Sequence, residues 1–162
     1  MLIELPYNLT GKIFRSPMPF SQFDHTDVWS SYHQNEIGMV IVLTEQQEYL
    51  VYAGKDLPAF YQNQGLDVIH IPLPDFGIPD DLESWQAGLD AAVAAAHRGK
   101  NIAVHCLAGV GRTGIFMACL AKEVLGLEGL EAIQWVRESL RGAMENWRQE
   151  EFVIGYQSGR SG

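Results

Sequence analysis

A chain of 162 residues has room for one domain around one sizeable core, and 47% hydrophobic against 19% charged residues exclude a disordered chain. A formal net charge of −9, with no basic stripe along the sequence, argues against nucleic acid as the main partner and works against a highly anionic substrate unless a local field overrides it. Two cysteines, Cys106 and Cys119, are too few for a disulfide framework, and Met1-Leu-Ile-Glu-Leu-Pro6 carries neither a secretory pattern nor a membrane span. The expectation is one domain over residues 1–162, cytoplasmic, without a membrane partner.

In chain order, residues 12–15 predict a short first strand, ended by Ser16-Pro17. Residues 26–36 predict a helix, with Asp24 or Thr26 as its N-cap. The continuous apolar run over 38–44, bounded by turn signals, predicts a buried strand. Short helices follow over 45–51 and 57–64, the second closed by Gly65. Residues 67–71 form another buried strand, and 72–79, with three prolines and a glycine, must be loop. Asp80 or Asp81 caps a long alanine-rich helix ending at Gly99, and 102–105 is the next strand. Three helices complete the chain, over 112–125, 130–140 and about 147–157. Alternating strands and helices predict an α/β fold with a mostly parallel central sheet and helices on both faces. In such sheets the ligand site lies beyond the carboxyl ends of the strands.

His105-Cys106-Leu107-Ala108-Gly109-Val110-Gly111-Arg112-Thr113-Gly114 falls at such an end, between a strand and a helix. A glycine-bearing loop opening a helix aims several backbone N–H groups at one point, and the helix N-terminus adds partial positive charge. An oxyanion held there by residues 107–112 meets Arg112 as a planar fork of donors, and the same field favours the reactive thiolate of Cys106. A nucleophile beneath a cradle for a tetrahedral oxyanion is equipment for phosphoryl transfer through a cysteinyl-phosphate. Gly109, Gly111 and Gly114 allow close backbone approach. Cys119 lies two helical turns beyond Arg112 and reads as a buried structural thiol, the alternative being a resolving thiol for Cys106. His25, His33, His70 and His97 show no metal spacing, so neither metal nor other cofactor is expected.

His-Cys-x5-Arg-Thr resembles the active-site loop of the cysteine-dependent protein tyrosine phosphatase superfamily, and the Gly-x-Gly-Arg-Thr-Gly ending resembles its small dual-specificity and kinase-associated branch. The likeness extends over about residues 11–154. It implies Cys106 as nucleophile, Arg112 as phosphate binder and Thr113 as a hydroxyl that helps the thiolate leave. It implies a supporting, loop-shaping role for His105. Pro72-Leu-Pro-Asp75-Phe-Gly-Ile-Pro79 is similar to the family's general-acid loop, which makes Asp75 the acid. The stretch from Arg141 to Val153 is similar to the family segment that carries a water-placing glutamine, here Gln149, with Glu145 as an orienting neighbour. Gly142 and Asn146 depart from that pattern, where the family usually has Pro and Thr. Lys12-Ile-Phe-Arg15-Ser-Pro-Met-Pro19 resembles the opening segment of these phosphatases and is given no chemistry. The implied partner is a phosphoprotein substrate, with phosphotyrosine first and phosphoserine or phosphothreonine beside it. Inositol-phosphate, phosphoinositide or RNA 5′-phosphate chemistry on the same scaffold, and a non-catalytic phosphoresidue-binding module, remain as alternatives. The oligomeric state stays open.

Overall fold

The structure, a computed structural model, describes residues 1–157. Five strands, β1 (Ile3–Leu5), β2 (Ile13–Ser16), β3 (Ile37–Val42), β4 (Asp67–His70) and β5 (Asn101–His105), form one sheet in the order β1-β2-β5-β3-β4. The pairs β2–β5, β5–β3 and β3–β4 are parallel, and only β1 runs antiparallel to its neighbour. Strands β3 and β5 lie inside the sheet and are buried along almost their whole length, which is why they read as unbroken apolar runs.

The two faces of the sheet collect different helices. Ile13, Met39, Ile41, Ile102 and Val104 pack with α4 (Leu82–His97), α5 (Gly111–Leu125), α6 (Gly129–Ser139) and α7 (Trp147–Gly155). The alternate residues Phe14, Val40, Val42 and Ala103 pack with α1 (Val28–Gln34), α2 (Gln46–Tyr52) and α3 (Leu57–Asn63). Helix α5 is buried from Gly111 through Ala121, as befits a central helix that is apolar on most of its circumference. Trp85 of α4 is fully buried and meets Phe116 of α5 and Phe152 of α7 edge-on, tying three helices together.

Several local expectations are refined. Residues 3–5 form an edge strand that the sequence does not announce, because three residues with one buried side chain leave no alternation to read. The cap of α1 is Asp27, in the left-handed region at φ 59°, and its carboxylate accepts from the Ser30 N–H. Asp24 instead accepts from the Phe20 and Val28 N–H groups, holding the loop ahead of the helix. Of the two candidates before α4, Asp81 is the cap, accepting from the Ser84 N–H and hydroxyl. Among the described residues no helix is long and apolar enough to cross a membrane.

Because Trp85 is the common contact of α4, α5 and α7, Trp85→Ala should cost about 3–5 kcal/mol of stability. Urea unfolding followed by circular dichroism checks this, and a loss below about 1 kcal/mol would contradict the three-helix contact.

Candidate active site

Strands β2, β5, β3 and β4 run the same way, so their carboxyl ends share one edge of the sheet. The segment after β2 brings Phe23 to that edge, β3 leads into α2 with Glu48, β4 leads to Asp75, and β5 leads to Cys106. A cleft of about 240 Å³ opens there, lined by Phe23, Asp75, Phe76, Cys106, Leu107, Ala108, Arg112 and Glu145. Larger hollows lie over α2 and between α4 and α7, but no Cys, His, Lys or Arg lines either.

Cys106 sits at the base of the cleft, 3% exposed, and the Gly109 N–H points at its Sγ across 3.3 Å. Gly109 has φ 82°, and a Cβ there would run into the Ser16 carbonyl and the Arg15 guanidinium, so only glycine serves. Helix α5 begins at Gly111 with Val110 in the cap position and no side chain bonded to its first N–H groups. Those donors, and the positive end of a 15-residue helix, are therefore left at the loop. Leu107 and Ala108 form the cleft wall, while Val110 and Gly111 carry the turn into the helix.

Arg112 is 2% exposed, and four of its five N–H donors, those on Nη1 and Nη2, are engaged. It donates to both carboxylate oxygens of Glu48, at 2.8 Å each, to the Leu73 carbonyl at 3.0 Å and to Asp75 Oδ1 at 3.2 Å. Burial acts to lower its pKa, but its hydrogen bonds to Glu48 and the negative charges of Cys106, Glu48 and Asp75 outweigh it and raise the value. The planar guanidinium is thus locked before any ligand arrives.

Asp75 is half-exposed at the cleft, where Oδ1 also accepts from the Phe76 N–H. Phe76 adopts φ 59°, a left-handed geometry that costs a residue with a Cβ about 1 kcal/mol or more. Two side chains hold this bent loop: Asn146 donates to the Phe76 carbonyl at 2.9 Å, and Gln149 donates to the Gly77 carbonyl at 3.1 Å. The Gln149 Oε1 accepts from the Glu145 N–H at 2.7 Å. Gln149 is fully buried with both ends of its amide occupied, and it does not line the cleft. In this arrangement its amide bridges the backbone of two loops. Glu145 is the residue of that segment that reaches the cleft, and a Cβ on Gly111 would lie within 2.5 Å of its Oε1.

His105 is fully buried, with Nδ1 at 3.0 Å from the Cys106 carbonyl and Nε2 at 2.9 Å from the Tyr61 hydroxyl. The carbonyl can only accept, so Nδ1 carries the proton and the Tyr61 O–H donates to Nε2. Burial pushes the imidazole pKa down to about 4, so the ring is neutral at pH 7. The Thr113 hydroxyl is buried and has no hydrogen-bond partner among the described residues. Cys119 is fully buried and its thiol is pushed up to about 12 by burial, which leaves it protonated and unreactive. Among the described residues no three His, Cys, Asp or Glu side chains gather as a metal-binding group.

Two residues at the site, partly buried Glu48 and buried Arg15, escape the sequence reading. Glu48 follows β3 on a short helix with no motif around it, and Arg15 sits in a segment to which no chemistry was assigned. Their only sequence signal is position: each lies at or just after the end of a strand that shares the active edge.

A family profile described as "Polymorphic toxin system, DSP-PTPase phosphatase" matches residues 18–123. The chain is 27% identical over 118 residues to Cyclin-dependent kinase inhibitor 3 of Rattus norvegicus, covering 70% of this chain and 54% of that protein. It is 32% identical over 108 residues to Protein tyrosine phosphatase PRL-1 of Leishmania major, covering 62% and 61%. The chain thus spans a little over half the length of the curated relatives it matches. Among solved structures, kinase associated phosphatase with its catalytic cysteine replaced by serine gives a TM-score of 0.83 at 21% identity, over 94% of this chain and 91% of that one. Tk-PTP in its active form gives 0.73 at 28% identity, over 93% and 92%.

The buried neutral imidazole fixes a pH dependence. An unfolded chain takes up a proton near pH 6.5, whereas folded His105 resists until about 4. Stability should therefore fall as pH drops through that window, by about 3 kcal/mol in total from this group, and level off below it. Urea unfolding of wild type and His105→Gln at several pH values checks this. The variant should lack that part of the slope, and parallel profiles would contradict it.

Proposed function

The chain belongs to the DSP-PTPase phosphatases, as a small dual-specificity-like member of the cysteine-dependent protein tyrosine phosphatase superfamily, and from that we propose that it hydrolyses phosphomonoesters on phosphoproteins through a cysteinyl-phosphate intermediate. The observation that carries this reading is the meeting of Cys106, Arg112 and Asp75 on one cleft, with a loop N–H already aimed at Sγ. A phosphoresidue-binding module needs neither the thiol nor the acid.

In the first step the Cys106 thiolate attacks phosphorus in line while Asp75 gives its proton to the leaving oxygen. Arg112 and the loop N–H groups hold the equatorial oxygens, where charge is spread in the transition state. In the second step water attacks the thiophosphate and the Asp75 carboxylate takes its proton. Inorganic phosphate departs and the thiolate is restored, with the unpaired Thr113 hydroxyl as the donor that eases its departure. Gln149 serves by keeping the Asp75 loop in reach, through its bond to Gly77. Neutral His105 serves by fixing the Cys106 carbonyl.

The walls of the cleft favour an aryl phosphate. Phe23 and Phe76 line it and remain 39% and 59% exposed, so two phenyl faces await a ring. A phosphotyrosine ring covers apolar surface there that a phosphoserine or phosphothreonine leaves wet. Among the described residues Arg112 is the only cation in the lining, against the carboxylates of Asp75 and Glu145. That balance suits a single phosphate and disfavours polyphosphorylated inositols.

Three outcomes are expected. Matched peptides assayed with EDTA present should give kcat/KM at least about tenfold higher for phosphotyrosine than for phosphothreonine, since burying a ring contributes on the order of 1–3 kcal/mol. Cys106→Ser should release no phosphate yet still bind phosphotyrosine peptide by calorimetry; turnover by that variant would remove the nucleophile assignment. Asp75→Asn should lower kcat about 10²–10⁴-fold on the peptide and far less on an ester whose leaving group needs no proton. Equal losses on both would remove Asp75 as the acid.

A further inference from the structure

Arg15 lies on β2 beside β5, paired in register with Val104, and it is 6% exposed. Its guanidinium sits beneath the cysteine loop. Nε and Nη2 donate to the Gly109 carbonyl at 3.0 and 2.9 Å, Nη2 also donates to the Ala108 carbonyl at 3.1 Å, and Nη1 donates to the Met1 carbonyl at 3.1 Å. Every acceptor is a neutral backbone oxygen. Among the described residues no carboxylate forms an ion pair with Arg15, whereas Arg112, equally buried, has Glu48 and Asp75.

Peptide geometry turns these bonds into a constraint on the site. In a planar trans peptide the C=O and N–H point in opposite directions. The Ala108 carbonyl and the Gly109 N–H belong to one peptide: its oxygen is held by Arg15 and its N–H faces Cys106 Sγ at 3.3 Å. The Gly109 carbonyl belongs to the next peptide, so pinning that oxygen outward turns the Val110 N–H inward as well. A guanidinium on the oxygen also polarises the peptide and strengthens its N–H as a donor. Gly109 is what lets Arg15 approach, since a Cβ there would strike Nη2.

We propose that Arg15 is a positioning residue of the cysteine loop: it orients two successive loop peptides toward Cys106 and the phosphate, and its unpaired buried charge balances the negative charge they carry. A buried cation without a counter-ion is costly, and a site that holds anions through its working cycle offsets that cost. Around Arg112 the bidentate carboxylate of Glu48 already balances one cation, so Arg15 is the positive charge left over for the thiolate and the phosphoryl group. Burial lowers the Arg15 pKa below its ordinary value, and the charge on Cys106 is the foremost influence opposing that. The inference rests on the proposed phosphatase reading, because it takes Cys106 and a phosphoryl group as the anions.

The test separates charge from geometry. Arg15→Lys keeps the charge and loses the fork, whereas Arg15→Gln keeps a donor and loses the charge. Folded protein is quantified by thermal melts, and four quantities are then read at one fixed pH. These are vanadate affinity, the kcat and KM for a phosphotyrosine peptide, and the rate of iodoacetamide alkylation at Cys106 mapped by mass spectrometry apart from buried Cys119. Both variants should bind vanadate about tenfold more weakly and lose kcat about tenfold with KM changed less than about threefold, the scale of one charge-assisted hydrogen bond. Alkylation of Cys106 should slow about tenfold in Arg15→Gln and stay within about threefold of wild type in Arg15→Lys.

Wild-type vanadate affinity and alkylation in both folded variants would overturn the proposal and leave Arg15 as packing. Should neither variant fold, the Arg15 Nε–H resonance of the wild-type protein decides: it should shift on adding vanadate, and an unmoved resonance overturns the proposal. Vanadate binding and alkylation need no phosphoprotein. A wild-type protein that shows neither would instead remove the phosphatase reading itself.

Discussion

Two guanidinium groups lie buried against one loop, and how their charge is met governs the site. Arg112 is clamped by a bidentate carboxylate, a carbonyl and the edge of Asp75, so its donors are fixed in direction. Arg15 meets only carbonyls. Burying either in an apolar setting would be prohibitive, and each is tolerated because the loop between them is itself a set of oriented dipoles. The glycine at 109, the uncapped start of α5 and the neutral state of His105 all follow from the same need. A charged imidazole would add a third cation to the same small volume.

The sheet converts this electrostatic arrangement into a place. Four parallel strands end on one edge, and each hands over one group: the Phe23 segment, the cysteine loop, Glu48 and Asp75. These groups are separated by up to 83 residues in sequence and meet because the carboxyl ends of the central strands are in register, the one irregularity of β3 against β5 lying at the opposite end, between Ile37 and Met39. His105 of β5 stands opposite both Ser16 of β2 and Val42 of β3. The helices packed on the two faces keep water from the backbone of β3 and β5, so the strand ends hold their positions.

Much of this was legible in the residues. The apolar runs at 38–44 and 102–105 marked the central strands because burial on both faces demands unbroken hydrophobicity, and the cysteine loop announced itself through spacing. What escaped detection had no local signature. An edge strand of three residues has no period. Glu48 looks like a capping residue of α2, which it also is, and only the fold brings it to Arg112. Gln149 shows the reverse: the segment is legible in the sequence, but the bonds of its amide to the backbone of two neighbouring loops are not. A side chain's partners depend on what folds against it, and sequence spacing alone does not supply that.

Asn146 does two things with one amide. Its oxygen caps α7 by accepting from the Gln149 N–H, and its nitrogen holds the Phe76 carbonyl of the Asp75 loop. With the neighbouring bond from Gln149 to Gly77, this fuses the first turn of α7 and the Asp75 loop into one cooperative unit. Local opening of that turn therefore releases the loop as well. A change that loosens the start of α7 therefore removes two of the bonds that shape the Asp75 loop and leaves its carboxylate to Arg112 alone.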